Sequence, residues 1–261
     1  MELSIPLAAP LARAQDRSRA GALLRLFGGT LDTLAAPTGG RLIITPNLDH
    51  LRLLSRSRAL RRAYRAADVL LNDSRFLDRG FYRGRAFCLT GADLAPELLQ
   101  RLAPGARVYV VGFTPAVEAA LRARYPHLGF DFLNPSMGYI RRPSERRAIA
   151  ARVVTARPDL LLVCTGAPQS ELLAAQIKRA GCTADMLCCG SGLLFLGGAS
   201  KRAPLWTQKL GGEWLWRFVN EPRTRQRYAM DALFLARNLP AFLSLRSRGT
   251  GRFEGYRLSC G

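Results

Sequence analysis

The sequence predicts an α/β protein with an open, mainly parallel, Rossmann-like sheet, helices on both of its faces and a basic helical appendage at the C-terminal end. Short apolar segments alternate with longer segments of helical periodicity, which is typical of parallel βαβ units. The apolar run LLLVC at 160–164 has the composition of a strand buried on both faces. Residues 201–261 depart from this pattern, because they are basic and contain all three tryptophans.

The elements follow one another in a regular order. Residues 1–40 have weak periodicity, and APTGG at 36–40 indicates a turn before the first firm strand. Strands are predicted at 41–45, 68–72, 107–112, 129–133, 159–166 and 184–190, and helices at 48–67, 115–125, 141–157 and 170–181. We therefore expect a Rossmann-like domain over residues 1–200 and an appendage over residues 201–261.

Composition limits the classes of function. With 48% hydrophobic and 22% charged residues, the 261-residue chain is an ordinary globular protein rather than a disordered or fibrous one. Lys and Arg number 39 against 19 acidic residues, which gives a formal net charge of +20. This surplus suggests a polyanionic partner: nucleic acid, an anionic membrane surface or a phosphorylated substrate.

The six cysteines lie mostly in apolar segments and show no C-x-x-C or Cys/His spacing, so we interpret them as reduced, buried small residues. No zinc site is expected. The sequence has no run of 18 apolar residues and no basic-then-apolar leader, so a cytoplasmic protein without a membrane span is expected.

Polar residues follow five of the predicted strands. The carboxyl ends of parallel strands form the edge at which open α/β sheets bind ligands, so these loops together predict a polar pocket. They are TPNLD (45–49), NDS (72–74), GFT (112–114), NPSMGY (134–139) and TGAPQSE (165–171). Neither G-x-G-x-x-G nor a Walker A sequence occurs, so no dinucleotide or nucleoside-triphosphate loop is predicted.

Five segments carry a resemblance to a known family. TPNLDHL, AADVLLNDS, LTGADL, RPDLLLVCTGAPQSE and KRAPLWTQKLGGEWLWRFVNEPRTRQRY resemble, in order and spacing, the WecG/TagA/CpsF glycosyltransferases (glycosyltransferase family 26). The resemblance covers about residues 25 to 235. It implies an inverting enzyme without cofactor or metal ion, which transfers a sugar from a UDP-sugar to an undecaprenyl-diphosphate-linked saccharide during cell-wall or exopolysaccharide assembly. It also implies a cytoplasmic enzyme, peripheral on the inner face of the bacterial inner membrane.

The resemblance assigns a general base to Asp73 in LLNDSRF. An inverting transfer needs one carboxylate to accept the proton of the acceptor hydroxyl, and no metal-binding D-x-D sequence occurs in the chain. The alternative is that Asp73 caps the next helix.

The same resemblance assigns a set of donor-binding residues: Thr45, Asn47, Gly91, Asp93, Tyr139, Gly166, Gln169, Ser170 and Glu171. Two alternatives stay open. Gly91 and Asp93 could form a turn and a helix cap, and the Tyr139 ring could pack on the sheet instead of stacking on a nucleobase.

The chain departs from the family at three positions. Where the family has G-x-P-x-Q-E, the sequence is GAPQSE, so the Gln is either displaced to Gln169 or replaced by Ser170. Ser74 follows the base in place of Gly, and Phe113 follows Gly112 in place of a second Gly.

The C-terminal region combines charge with aromatic residues. Residues 201–261 hold twelve Lys or Arg and four acidic residues, a net charge of +8, together with Trp206, Trp214 and Trp216. Such a composition suits a helix at an anionic membrane surface, and arginine binds a diphosphate through two oxygens at once. The expected acceptor-binding residues are Arg217, Arg223, Arg225 and Arg227. The alternative is a core of tryptophans with a solvated basic face.

Two other classes of function were weighed against a glycosyltransferase. A nucleic-acid-binding α/β protein fits the charge, but no known module or aromatic platform occurs, so no nucleic acid is expected. A catalytically weak relative that acts as a scaffold would fit the altered GAPQSE segment. The oligomeric state stays open, with a homo-oligomer among the possibilities.

Overall fold

The structure is a computed structural model of the chain that describes residues 2–5, 22–27, 30–36, 38–82, 87–190, 192–195, 203–204, 206–207 and 210–247. For residues 2–5, 22–25, 223 and 244–247 it describes the backbone alone.

Six parallel strands form the central sheet. They are β3 (Leu42–Ile44), β4 (Val69–Leu70), β5 (Arg107–Val111), β6 (Gly129–Leu133), β7 (Leu160–Val163) and β8 (Asp185–Cys188), in the order β4-β3-β8-β7-β5-β6. Val163 pairs with Val111 on one side and with Cys188 on the other, so the central strands end at one level. This confirms the predicted open parallel sheet, with β7 in its interior.

Helices cover both faces of the sheet. The elements between the strands are α2 (Leu48–Arg56), α3 (Arg58–Arg65), α4 (Arg75–Leu77), α5 (Gly91–Arg101), α6 (Pro115–Arg124), α7 (Pro143–Ala156) and α8 (Gln169–Arg179). Alternate strand residues enter two separate cores, as Tyr109 and Val111 face one side and Val108 and Val110 the other. Side chains of α2, α3, α7 and α8 pack in the first core, and side chains of α5 and α6 pack in the second.

The helix predicted over 48–67 is divided in two at Ser57. This residue has φ −112° and ψ 108°, and it is both the C-cap of α2 and the N-cap of α3. Its hydroxyl accepts a hydrogen bond from the Leu60 N–H at 3.1 Å. A serine hydroxyl can satisfy the free N–H groups of a new helix, so the chain turns here without loss of hydrogen bonding.

Two parts of the fold were not predicted. Near the N-terminus, β1 (Glu2–Ile5) pairs antiparallel with β2 (Ala22–Arg25), and α1 (Leu31–Ala35) follows. Beyond β4, α5 occupies a stretch for which no helix bounds were predicted, although a turn and a helix cap at Gly91 and Asp93 were one open alternative.

The described part of the appendage includes the helices α9 (Glu213–Asn220), α10 (Arg225–Arg237) and α11 (Leu239–Ser247), with a 3-10 turn at Pro222–Thr224. Phe234 of α10 and Phe242 of α11 are buried in the same core as α2 and α3. The appendage is thus packed on the sheet domain through apolar side chains.

Candidate active site

Two adjoining clefts open at the carboxyl edge of the sheet. The larger cleft, of about 460 Å³, lies beyond β3, β4 and β8, and α9 and α10 of the appendage line its outer side. The smaller cleft, of about 270 Å³, lies beyond β5, β6 and β7. Gly190 lines both. The single pocket predicted from the strand ends is therefore two connected clefts.

Asp73 lies in the larger cleft, in the loop that follows β4. Its N–H donates to the carbonyl of Pro46 at 3.0 Å, which fixes its loop against the loop after β3. The helix that follows is capped by Ser74, whose hydroxyl accepts from the Leu77 N–H at 3.2 Å. Asp73 is therefore not the N-cap residue, and its carboxylate is left for another role.

The environment of Asp73 favours a neutral carboxyl group. Burial raises the pKa of Asp73 to about 7, while the charge of His50 acts to lower it. Glu213 and Asp93 raise the pKa and Arg217 lowers it. A carboxylate whose pKa is near 7 binds a proton more strongly than an ordinary aspartate does. At a pH equal to that pKa, half of the Asp73 side chains are ionised and can accept a proton.

His50 and Glu171 form a second titratable pair in the larger cleft. The His50 Nε2 lies 3.4 Å from Glu171 Oε1, and both side chains are buried. Burial acts to lower the pKa of His50, but the hydrogen bond and charge of Glu171 outweigh it, so the pKa is raised. His50 was not predicted as a site residue, although it lies within TPNLDHL and is one of only two histidines in the chain.

Thr45 and Asn47 line the larger cleft and also hold its loop in place. The Thr45 hydroxyl donates to the Cys188 carbonyl at 3.2 Å. The Asn47 Oδ1 accepts from the His50 N–H at 3.3 Å and caps α2. Both side chains thus form structural hydrogen bonds in addition to facing the cleft.

Gly91 and Asp93 have structural partners. A Cβ at Gly91 would lie 3.0 Å from the Cys189 Cα, so glycine here permits close contact between α5 and the end of β8. The Asp93 carboxylate accepts from the Thr90 hydroxyl at 2.8 Å and from Arg75 at 3.1 Å. Neither Gly91 nor Asp93 lines a cleft, whereas Thr90 and Ala92 line the larger one.

The residues of the GAPQSE segment divide between the two clefts. Gly166 and Glu171 line the larger cleft, and Gln169 lines the smaller one. Ser170 is 0% exposed and lines neither, with its hydroxyl 3.3 Å from that of Thr165. The segment therefore connects the two clefts instead of contributing every side chain to one pocket.

Tyr139 lies at the wall of the smaller cleft but is only 3% exposed. Its ring is part of the core shared with α7 and α8, and its hydroxyl lies 2.8 Å from the Thr165 hydroxyl. Little of the ring is open to a ligand, so packing is the role that its position favours.

The arginines of the appendage have different positions. Arg217 and Arg227 line the larger cleft. Arg225 is exposed and donates to the carbonyls of Phe218 and Val219, both at 3.0 Å, which links α10 to α9. The Arg223 side chain lies outside the described part of the chain. Trp214 lines the cleft and contacts Phe76 edge-on, with ring centroids 5.9 Å apart.

A comparison with known families identifies the chain. The family model described as "Glycosyl transferase WecG/TagA/CpsF family" matches residues 26–248, a span that contains both clefts and the helices α9, α10 and α11. The chain belongs to the WecG/TagA/CpsF glycosyltransferase family. This membership supports a sugar-transferring activity.

Ser74 and Phe113, two positions at which the resemblance led us to expect glycine, make contacts of their own. Ser74 provides the cap of α4. The Phe113 N–H donates to Asn134 Oδ1 at 2.8 Å, and its ring packs on Phe132 at 4.8 Å between centroids. The Ser74 hydroxyl and the Phe113 ring thus add side-chain contacts, which glycine could not make, in loops that line the clefts.

Neither a membrane-spanning helix nor a metal-ligand cluster occurs in the described ranges. No helix there combines the length and the apolar character needed to cross a bilayer. Within the same ranges, His, Cys, Asp and Glu side chains form no group of three or more that could hold a metal ion.

Proposed function

We propose that the protein is an inverting glycosyltransferase that moves a sugar from a UDP-sugar to an undecaprenyl-diphosphate-linked saccharide, without a metal ion, in exopolysaccharide or cell-wall polysaccharide assembly. The observation that carries this proposal is the position of Asp73. Its carboxyl group is not committed to a helix cap, has a pKa of about 7 and lies in one cleft with Arg217 and Arg227. A base and two cations in one cleft are the groups that such a transfer requires.

In the proposed reaction, Asp73 accepts the proton of an acceptor hydroxyl as that oxygen forms a bond to the anomeric carbon. The bond from the anomeric carbon to the diphosphate oxygen breaks on the opposite face, so the configuration inverts and UDP leaves with the bonding electrons. Arg217 and Arg227 are cations on the appendage side of the cleft, where they could stabilise negative charge on a diphosphate.

The proposal assigns the nucleoside of the donor to the smaller cleft. This cleft adjoins the larger one at Gly190, and it contains the N-terminal end of α6 at Thr114 together with the polar side chains of Asn134 and Gln169. A donor that lies across Gly190 would place its sugar beside Asp73.

Exposed apolar side chains on the appendage support a membrane-surface location. Leu215 and Val219 are exposed one turn apart on α9, and other exposed apolar residues follow on α10 and α11: Met230, Leu233, Leu239 and Leu243. Apolar side chains next to arginines can enter the interface of an anionic membrane. We propose that this surface docks the enzyme on the cytoplasmic face of the membrane.

A donor screen tests the proposal. UDP-sugars are incubated with purified protein and a synthetic lipid-diphosphate saccharide acceptor, with and without EDTA, and lipid-linked product is scored. The expected result is transfer from at least one UDP-sugar, unchanged by EDTA, with the anomeric configuration inverted by NMR. Loss in EDTA that Mg²⁺ restores would contradict the metal-independent mechanism. A folded protein without transfer from any donor would favour a scaffolding role, which the replacement at Ser170 motivates.

A further inference from the structure

The pair formed by His50 and Glu171 lies in the larger cleft but has no part in the proposed reaction. His50 lies in the first turn of α2 and Glu171 in the first turn of α8, so the pair joins two helices that follow different strands. Glu171 is 2% exposed, and its Oε2 has no hydrogen-bond partner within the described residues. A buried carboxylate in this position is stabilised chiefly by a cationic neighbour.

The surroundings of His50 allow it to carry that charge. Its Nδ1 lies 3.1 Å from the Thr45 carbonyl and 3.2 Å from the Asn47 nitrogen. The charged ring can therefore donate to Thr45 and Glu171 at the same time, and the neutral ring can accept from the Asn47 N–H. The ring is held in one orientation in both protonation states.

The loops on either side bring His50 and Asp73 into the same wall of the cleft. Asp73 is bound through its backbone to Pro46, which lies four residues before His50. The titratable groups that act on His50 are Glu171 from α8, Asp49 from its own helix and Asp73, while the Tyr64 ring of α3 packs edge-on against it at 6.3 Å. The titratable groups with the largest effects on Asp73 are His50, Glu213, Asp93 and Arg217.

We infer that His50 is a positioning residue for Asp73: held by Glu171, its imidazolium supplies a positive charge that favours the ionised form of the Asp73 carboxylate inside the cleft. The catalytic role of His50 in this inference rests on the proposed function, but the electrostatic coupling between His50 and Asp73 does not require a substrate. Glu171 acts through His50, because its negative charge keeps the imidazole protonated in a buried site.

The coupling has a defined sign in each direction. Loss of the His50 charge removes an influence that lowers the pKa of Asp73, so that pKa should rise and ionised Asp73 should form only at higher pH. Loss of the Asp73 charge removes an influence that raises the pKa of His50, so that pKa should fall.

The chain is well suited to a direct test, because it contains only two histidines. His127 is exposed and precedes β6 at the amino edge of the sheet, away from the clefts, so its NMR signal is an internal reference. The His50 ring signal is titrated in the full chain for wild type, Asp73→Asn, Glu171→Gln and, as a control, Asp93→Asn. Asp93 acts on Asp73, is not among the largest influences on His50, and is bound by Thr90 and Arg75.

The expected result is a lower His50 titration midpoint in Asp73→Asn and in Glu171→Gln, with Asp93→Asn equal to wild type and the His127 signal the same in all four. If Glu171→Gln does not fold, the Asp73→Asn comparison decides alone. Equal His50 midpoints in wild type and Asp73→Asn would overturn the inference whether or not the protein transfers sugar.

A kinetic experiment tests whether the coupling between His50 and Asp73 affects catalysis. In His50→Gln, the acid limb of the pH-rate profile should move to higher pH, and the rate on the alkaline side should stay within several-fold of wild type. A loss of rate by the same factor at every pH would show that His50 has a structural role only.

Discussion

Arg52 of α2 and Asp231 of α10 form a buried ion pair, with 2.6 Å between Arg52 Nε and Asp231 Oδ1. The side chains are 8% and 6% exposed, and Arg52 also pairs with Asp49. Asp49 and Asp231 both line the larger cleft. The pair therefore fixes the appendage to the sheet domain at the wall of the candidate active site.

Breaking this pair should weaken the fold. In Asp231→Ala, the buried Arg52 loses one of its two carboxylate partners, and we expect a loss on the order of 3 kcal/mol in the free energy of unfolding. The control is Asp32→Ala, which removes the exposed partner of Arg101 and should cost less than about 1 kcal/mol. Urea denaturation measures both, and equal losses in the two variants would contradict the assigned role of the buried pair.

Asp73→Asn should change stability in a way that depends on pH. The pKa of Asp73 is raised to about 7 in the folded protein, against about 4 in an unfolded chain, so ionisation of the folded form is unfavourable. The loss of folding stability that this ionisation causes is absent below about pH 4, grows between about pH 4 and pH 7, and is complete above about pH 7. Asn removes it, so the variant should melt at a higher temperature than wild type at pH 8 and at nearly the same temperature at pH 4. A difference in melting temperature that is the same at both pH values would be inconsistent with a raised pKa.

Gly112 should tolerate no side chain at the base of the smaller cleft. Its φ is +83°, and a Cβ would lie 2.8 Å from the Thr165 Cγ2. Gly105 is a matched control, because its φ is +82° and a Cβ there would meet nothing within 4 Å. Both Ala variants have the strain of positive φ, about 1 kcal/mol or more, but only Gly112→Ala adds a steric clash worth roughly 1–3 kcal/mol. Chemical denaturation should rank them in that order, and equal midpoints would argue against the close approach at Thr165.

The exposed apolar face of α9 should be required for membrane binding. Leu215→Ser combined with Val219→Ser should reduce co-sedimentation with anionic liposomes several-fold and leave the affinity for UDP unchanged, because neither residue lines a cleft. Met137→Ser is the control, since Met137 is 95% exposed but lies beside the smaller cleft.

Removal of residues from 236 onward is a poorer test, because it would also remove the buried Phe242. Liposome binding by the double variant at the level of wild type, at low and physiological salt, would contradict a docking role for α9.

Much of the sheet and the position of the site could be predicted from the sequence. Six apolar segments separated by helical periodicity are enough to predict parallel strands, and polar strand ends then converge on one edge because all strands run the same way. The residues at 160–163 are an example, since their apolar run reflects burial on both faces of β7.

What could not be predicted depends on contacts between distant parts of the chain. Arg52 and Asp231 are 179 positions apart, and nothing local to either residue indicates the other.

The role of His50 could not be predicted for the same reason, because it is evident only when Glu171 of α8 is seen beside it. The presence of two clefts that share Gly190, in place of one pocket, depends on the three-dimensional positions of the loops, which hydrophobic periodicity does not indicate. The end of α2 at Ser57 was missed because a serine inside a helical pattern is compatible with either a helix or a cap.

The pH dependence of kcat/KM for wild type and Asp73→Asn, with the UDP-sugar and lipid-linked acceptor identified by the donor screen, tests the central claim most directly. If Asp73 is the general base, the wild-type value should rise about tenfold per pH unit up to an apparent pKa near 7 and then level off. Asp73→Asn should be at least about 10²-fold slower on the plateau, without that rise, while it binds UDP as tightly as wild type and keeps its fold. A folded Asp73→Asn variant with a near-normal rate and the wild-type pH profile would contradict the account.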